Sequence, residues 1–139
     1  MKILVVGSFE FEIYSKALFN AFLKLNVNTL SFKTNDFDYS EDNIIASIFE
    51  RFQNKFIIGP KIKKINNSLL DTVIEEKPNL VFLYRAVEIS AYTVCKIKDL
   101  GISVFSYNND DPFSGAPSNS FWRNYIKCAN FCDHNFVYR

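Results

Sequence analysis

Short apolar runs alternate along this chain with longer stretches in which apolar residues recur every three or four positions. The short runs are typical of buried strands, and the longer stretches have the period of amphipathic helices. The pattern predicts five strands, at residues 2–6, 27–32, 80–84, 102–106 and 135–138. Because a predicted helix lies in every connection between them, we expect the strands to be parallel, since parallel strands require such crossovers.

The first two predicted helices each carry an apolar stripe that we expect to be buried. The helix over residues 11–25 has the stripe Ile13, Ala17, Leu18, Ala21, Phe22 and Leu25. A polar loop over residues 33–40 follows the second strand, and Asp42 is the expected N-cap of the next helix. The stripe of that helix comprises Ile45, Ile48, Phe49 and Phe52.

Proline, serine and glycine mark the limits of the other helices. A third helix over residues 60–76 begins with a proline, which suits a first helical turn. Ser90 caps a fourth helix, and Gly101 ends it. A cap within residues 118–120 begins a fifth helix, which runs to Ala129.

The order of these elements predicts an α/β fold. With right-handed crossovers it becomes an open Rossmann-like sheet of about five parallel strands with helices on both faces. The strand at residues 80–84 is apolar throughout, as is typical of a strand that is covered on both faces.

Length, composition and charge favour one soluble domain. A chain of 139 residues can bury a core, and 48% apolar with 22% charged residues is ordinary for a globular protein. A net charge of +1 gives no electrostatic support to a nucleic-acid partner. The apolar runs are too short to cross a bilayer, no signal peptide is recognisable, and the odd number of cysteines argues against a disulfide framework. We therefore expect a cytoplasmic location.

The signatures of common nucleotide-binding and phosphate-transfer folds are missing at the positions where those folds need them. Gly7 is followed by Ser-Phe-Glu-Phe-Glu, without the second glycine of a dinucleotide-binding motif or a P-loop. The second strand ends in Phe32 and Lys33 instead of an acid. The first strand ends without the acid that receiver and haloacid-dehalogenase-like domains carry. No resident cofactor is predicted.

The densest polar cluster follows the fourth strand, where residues 107–114 read Tyr-Asn-Asn-Asp-Asp-Pro-Phe-Ser. Ligands of open α/β sheets bind at the carboxyl ends of the strands, so this loop is a candidate site. We assign catalysis to Asp111 and Asp110, because a carboxylate in a cleft can take a proton from an acceptor hydroxyl. Substrate binding is assigned to Asn108 and Asn109. The alternative is that one aspartate caps the turn at the proline.

Other strand ends supply further candidates for substrate binding. Gly7 and Ser8 precede a helix N-terminus, whose amide groups favour anions and hydroxyl oxygens; the alternative is a glycine that only permits a tight turn. Arg85 follows the third strand and suits a diphosphate or an acceptor carboxylate, or it pairs with Glu88.

Two more segments carry candidate chemistry. Cys128, Cys132 and His134 offer three metal ligands but no evident fourth, so the cysteines are interpreted as buried residues on a helix face and no metal site is predicted. Residues 49–64 mix aromatic and basic side chains, which suits a peripheral contact with the inner face of a membrane. The alternative is an amphipathic core helix followed by a solvated, charged turn.

Several segments together resemble one protein family. They are the opening Met-Lys-Ile-Leu-Val-Val-Gly-Ser, the mid-chain Glu-Lys-Pro-Asn-Leu-Val-Phe, the loop over residues 107–114 and the tail. The tail reads Phe-Trp-Arg-Asn-Tyr-Ile-Lys-Cys and, after four residues, Asp-His-Asn-Phe-Val-Tyr-Arg. The chain resembles the N-terminal half of bacterial glycosyltransferases of the spore-maturation CgeB type. Only residues 107–139 are specific to that family.

The resemblance implies a two-domain GT-B glycosyltransferase whose N-terminal domain holds a small-molecule or glycan acceptor. Its C-terminal domain binds the nucleotide-sugar, which is a co-substrate and not a resident cofactor. Residues 1–139 are then one acceptor-side domain, inactive without a C-terminal domain. Apolar surface expected near Phe136 and Tyr138 predicts a homodimer of the chain. The alternative function is a non-catalytic Rossmann-like module that binds a small polar ligand or a partner protein.

Overall fold

The computed structural model describes residues 1–38, 44–113 and 119–137, and it confirms the predicted alternation of strands and helices. The elements in chain order are β1 (Lys2–Gly7), α1 (Ser15–Lys24), β2 (Asn28–Lys33), a 3-10 helix (Thr34–Phe37), α2 (Ile44–Phe56), α3 (Pro60–Glu76), β3 (Leu80–Tyr84), α4 (Ala91–Asp99), β4 (Ser103–Asn108), α5 (Asn119–Ala129) and β5 (His134–Val137). The predicted caps Asp42 and Ser118 lie outside the described residues. The Ser90 cap is confirmed, because its side chain accepts a hydrogen bond from the Thr93 backbone N–H.

The described strands form one parallel sheet in the order β2-β1-β3-β4-β5. Val5 of β1 is aligned with Ser31 of β2 on one side and with Phe82 of β3 on the other. The chain therefore leaves β1 toward one edge of the sheet and returns to its other side at β3. This is an open Rossmann-like α/β fold, in which the crevice for a ligand opens where the connections diverge, between β1 and β3.

The hydrophobic core lies on one face of this sheet, under α3, α4 and α5. Leu4, Val81 and Val104 of the three central strands are fully buried there. The helices contribute further buried side chains to the same cluster: Ile65, Leu69, Val73, Val94, Ile97, Trp122 and Tyr125. Full burial of such a side chain contributes roughly 1.5–3 kcal/mol, so this face holds the sheet and three helices together.

The other face of the sheet is covered by α1 over β1 and β2, which confirms helices on both faces. The expectation that β3 is covered on both faces is wrong. Val81 and Leu83 are buried, whereas the intervening Phe82 and the terminal Tyr84 are half-buried. The cause is that α1 packs mainly on β1 and β2, so the apolar character of β3 on this face serves aromatic contacts such as Phe82 with Phe136.

Helix α1 is shorter than its apolar period predicts, and no residue of the expected stripe is fully buried: Ala17 and Ala21 are exposed, and Leu18 and Phe22 are half-buried. Ile13 and Leu25 are 74% and 72% exposed, because they lie just outside the helix ends. The small Ser15 is instead the buried residue of the helix. It lies against Gly7, where an added Cβ atom would be 2.5 Å from Ser15 Oγ and 2.7 Å from the Tyr84 carbonyl oxygen. The glycine thus permits close approach of β1, α1 and β3.

Helix α2 is turned opposite to the prediction. Ile48, Phe49 and Phe52, expected to be buried, are 62%, 48% and 51% exposed. The polar Gln53 is buried instead. The physical reason is a set of hydrogen bonds between the polar side of α2 and Lys61 at the start of α3, which are described below. The expected burial of Ile45 concerns a side chain outside those that the structure describes.

Candidate functional site

A cleft of about 480 Å³ opens at the carboxyl ends of β1 and β3. This is the position at which the strand order reverses, where open α/β sheets bind ligands. Residues that follow β1, β2 and β3 line it together with the facing sides of α2, α3 and α5. The lining includes Ser8, Phe11, Ile13, Tyr14, Asp38, Asn54, Lys61, Tyr84, Arg85, Glu88 and Phe121.

Lys61 forms the polar floor of the cleft. Its side chain is only 4% exposed, and its ammonium group donates to Asp38 Oδ1 at 2.5 Å, Glu50 Oε1 at 2.7 Å and Asn54 Oδ1 at 3.0 Å. Burial by itself lowers the pKa of Lys61, but the hydrogen bonds and charges of Asp38 and Glu50 outweigh it and raise that pKa above the usual value. Lys61 therefore stays charged, and its three donors are used within the protein.

The backbone N–H of Lys61 completes this connection by donating to Gln53 Oε1 at 2.9 Å. Gln53, Glu50 and Asn54 all belong to α2, so a single residue of α3 holds the polar side of α2 against the protein. Sequence reasoning missed this arrangement. The signal in the sequence was a lysine one residue after the proline that begins α3, preceded by Glu50 and Gln53, whose side chains can accept hydrogen bonds.

Glu88 and Glu10 are the carboxylates of the cleft lining that form no ion pair among the described residues, and of the two only Glu88 is half-buried, whereas Glu10 is exposed. Glu88 lies on the loop after β3, between the buried Val87 and Ile89. Its backbone carbonyl accepts a hydrogen bond from Asn66 Nδ2 at 2.8 Å, and Asn66 Oδ1 accepts from the Ser90 N–H at 2.8 Å. Asn66 thus anchors the loop at Glu88 and at Ser90, which restricts the backbone that carries the Glu88 side chain.

Burial raises the pKa of Glu88 above its usual range, and the charge of nearby Lys61 offsets only part of this. A half-buried carboxylate with a raised pKa is a better proton acceptor than an exposed one, and it gains most from a ligand that donates a hydrogen bond. Sequence reasoning named Glu88 only as a partner for Arg85. The signal in the sequence was its position shortly after β3, because ligands of open α/β sheets bind at the carboxyl ends of the strands.

Arg85 pairs with Asp110 and not with Glu88. Its Nε lies 2.5 Å from Asp110 Oδ2, and its guanidinium carbon is 6.0 Å and 5.9 Å from the ring centres of Phe121 and Trp122. The Arg85 backbone has a φ of +46°, a left-handed conformation that costs a non-glycine residue about 1–3 kcal/mol. The ion pair and the aromatic contacts hold this conformation, so Arg85 lines the cleft as a neutralised cation.

The other candidates on the loop after β4 mostly support that loop. Asp111 accepts a hydrogen bond from the Phe113 N–H at 2.8 Å, which is the geometry of a turn cap, and its side chain is exposed. Asn108 is fully buried and accepts from the Asp110 N–H at 3.2 Å. Asn109 has a buried Oδ1 that accepts no hydrogen bond from the described residues. The described lining of the cleft includes none of the predicted site residues of this loop, which are Asn108, Asn109, Asp110 and Asp111.

Ser8, by contrast, lines the cleft and is exposed at its surface. The neighbouring Phe9 N–H donates to Asn35 Oδ1 at 2.8 Å, which joins the loop after β1 to the 3-10 helix after β2. Gly7 is explained by the packing of Ser15 and Tyr84 around it. Of the predicted site residues, the structure therefore brings Ser8 and Arg85 into the cleft.

An apolar wall faces the polar floor. It comprises Phe11, Ile13, Tyr14, Tyr84 and Phe121. The rings of Tyr14 and Tyr84 have their centres 6.3 Å apart, and burial raises the pKa of the Tyr84 hydroxyl above its usual value. The Tyr84 hydroxyl is therefore a neutral donor at physiological pH. One side of the cleft can pack a ring or chain while the other side accepts hydrogen bonds from it.

The cysteines near the end of the chain have a structural role. Cys128 is buried and donates to the Ile89 carbonyl oxygen at 2.9 Å, and burial raises the pKa of its thiol to about 12. Burial also raises the pKa of Cys132 to about 11. In the described parts of the chain, no three His, Cys, Asp or Glu side chains are arranged to hold a metal ion.

None of the described helices combines the length and the apolar character that crossing a bilayer requires. Comparisons of the chain with known protein families, with curated proteins and with solved structures gave no match.

Proposed function

We propose that the cleft binds a neutral, hydroxyl-bearing acceptor, and that the chain acts as the acceptor-binding domain of a glycosyltransferase. The observation that carries this proposal is the balance of charge in the cleft. Lys61 is neutralised by Asp38 and Glu50, and Arg85 is neutralised by Asp110, whereas Glu88 lacks an ion pair among the described residues. A hydroxyl group satisfies Glu88, and a phosphate is repelled by it.

In this proposal Glu88 accepts the proton of the acceptor hydroxyl as that oxygen attacks the sugar. Its raised pKa suits the role, because a general base works best when its pKa approaches the working pH. The apolar wall orients the acceptor so that the hydroxyl points to Glu88. A nucleotide-sugar is supplied from elsewhere in the enzyme, since the cations of the described cleft are already paired and a diphosphate has no free partner in it.

A binding experiment on the purified chain tests the proposal. Saturation-transfer NMR with a panel of neutral saccharides and a panel of nucleotide-sugars compares the two ligand classes directly. We expect signals from saccharides, loss of those signals in Glu88→Gln, and no sugar transfer by the chain alone. Binding of nucleotide-sugars in preference to saccharides would overturn the assignment, and so would unchanged saccharide binding in Glu88→Gln. Saccharide binding without transfer in any longer form of the protein would favour the alternative, a binding module.

A further inference from the structure

The outward side of α2 is apolar while its inward side is polar. Ile48, Phe49 and Phe52 are about half or more exposed, and Ile58, just beyond the helix, is 41% exposed. Residues 48, 52 and 56 are one helical turn apart, so they lie on one face. Together with the half-buried Phe56, these side chains form the α2 apolar patch: Ile48, Phe49, Phe52, Phe56 and Ile58.

Hydrogen bonds from Lys61 of α3 hold α2 in this orientation. Gln53, Glu50 and Asn54 all accept hydrogen bonds from the nearly buried Lys61. Rotating α2 to bury its apolar side would break these bonds and leave the buried ammonium group with Asp38 alone of its described partners, which is unfavourable. The outward apolar patch is therefore a stable feature of the fold.

Basic side chains border the α2 apolar patch. Arg51 and Lys55 lie three positions after Ile48 and Phe52, on the flank of the same helical face, and both are exposed. Lys55 also lies with its ammonium group 5.5 Å from the Phe56 ring centre. Arg123 of α5 adds a third cation at the end of the helix, because its Nη2 donates to the Phe56 carbonyl oxygen at 3.1 Å.

Negative charge is turned away from this surface. Glu50 is the acidic residue within α2, and its carboxylate points inward to Lys61 with 15% of the side chain exposed. The described surface thus combines isoleucine and phenylalanine with a border of arginine and lysine. Helices with this composition lie in the interface of anionic membranes, with their apolar face between the headgroups. The centres of protein–protein interfaces, by comparison, are depleted in lysine.

We propose that the α2 apolar patch and its basic border dock the chain on an anionic lipid surface. Helix α2 has 13 residues and lies flat on the lipid, with Phe52 near the centre of the contact. Asn54 lies in α2 and Ile57 directly follows it, and both line the cleft, so the helix that rests on the lipid also borders the cleft. The docking itself does not depend on what the cleft binds.

Sedimentation of the chain with vesicles tests this inference. We expect partition onto vesicles of phosphatidylcholine with phosphatidylglycerol, and much weaker partition onto phosphatidylcholine alone. Phe52→Ser should lower partition at least about tenfold, because it removes a large apolar side chain from the contact. Lys55→Gln should lower it about fivefold, the usual effect of one basic residue at an anionic surface.

Ile74→Ser is the matched control, because Ile74 is 56% exposed at the end of α3, near the amino ends of β3 and β4 and so at the opposite end of the sheet from the cleft. Its partition should equal that of the unaltered chain, and thermal unfolding by circular dichroism should show all three variants folded. Failure of the chain to bind the anionic vesicles would overturn the inference. Equal partition of Phe52→Ser and Ile74→Ser would also overturn it, as would a dimer that Phe52→Ser dissociates while vesicle binding is absent.

Discussion

Arg85 and Asp110 join the carboxyl ends of β3 and β4, with Arg85 Nε 2.5 Å from Asp110 Oδ2. The backbone repeats the connection, because the Arg85 N–H donates to the Tyr107 carbonyl oxygen at 2.8 Å. The pair fixes the edge of the cleft. Because Asp110 is already paired with Arg85, its carboxylate is not available to bind a ligand. The pair also frees Glu88, the other candidate partner of Arg85, to face the cleft.

Asp110→Asn should lower the free energy of unfolding by less than about 1 kcal/mol, because both side chains of the pair are well exposed and solvent screens their interaction. Urea unfolding measures this. The same variant should bind saccharides more weakly by a small factor, since Arg85 then regains a free charge at the edge of the cleft. A loss of binding as large as that of Glu88→Gln would make Asp110 a ligand-binding residue.

Lys61→Met should be far more damaging. It leaves Glu50 and Asn54 of α2 without their ammonium donor, and removal of one partner of a buried ion pair typically costs about 3–5 kcal/mol. Urea unfolding should show a loss near the lower limit, because Asp38 is half exposed. Lys63→Met, at an exposed lysine two residues further along α3, is the control and should change stability little. Equal stability of the two variants would contradict the role given to Lys61.

Glu88→Gln should stabilise the folded chain at neutral pH while weakening ligand binding. Because the pKa of Glu88 is raised by folding, the folded state holds its proton more tightly than the unfolded state. Stability therefore falls as pH rises from the unfolded pKa through the raised folded pKa, and the neutral glutamine does not suffer this loss. Thermal unfolding of both proteins from acidic to neutral pH measures the difference, which should grow with pH. A variant that is less stable at neutral pH would show that Glu88 stabilises the fold.

Gly7→Ala should destabilise the chain by about 1–3 kcal/mol, the usual cost of an overpacked site. The added Cβ would meet Ser15 Oγ, which can rotate, and the Tyr84 carbonyl oxygen, which cannot move without shifting β3. Ser8→Ala, at the neighbouring exposed position, should leave stability within about 0.5 kcal/mol. Denaturant unfolding of the two variants compares them. Equal values would mean that the close approach at Gly7 is not tight.

Asp111→Asn and Asp111→Ala separate the two roles considered for this residue. Asparagine retains a side-chain oxygen that can accept from the Phe113 N–H, whereas alanine does not. We expect normal saccharide binding in both variants and a loss of about 1 kcal/mol of stability in Asp111→Ala alone, as for one hydrogen bond. Strongly weakened binding in Asp111→Asn, with the fold intact, would instead support the catalytic role that the sequence predicts.

Three features could be predicted from the sequence alone: the order of strands and helices, the parallel sheet, and the end of the sheet at which the cleft opens. These follow from local periodicity, from Pro60, Ser90 and Gly101 at helix ends, and from the rule that parallel strands share one carboxyl edge. Which face of an amphipathic helix is buried could not be predicted in this way, because it depends on contacts with other elements of the fold. For α2 the apolar stripe predicted burial, but hydrogen bonds to Lys61, which lies 11 residues after Glu50 and on another helix, turn the polar face inward.

The same distinction applies to the site. The strand-end rule located the region and drew attention to the two aspartates of residues 107–114, but it treats every polar side chain at a strand end alike. Which carboxylate is left for a ligand depends on which cations the others have already paired with. That pairing joins residues far apart in sequence, such as Arg85 with Asp110, and it exists only once β3 and β4 lie side by side.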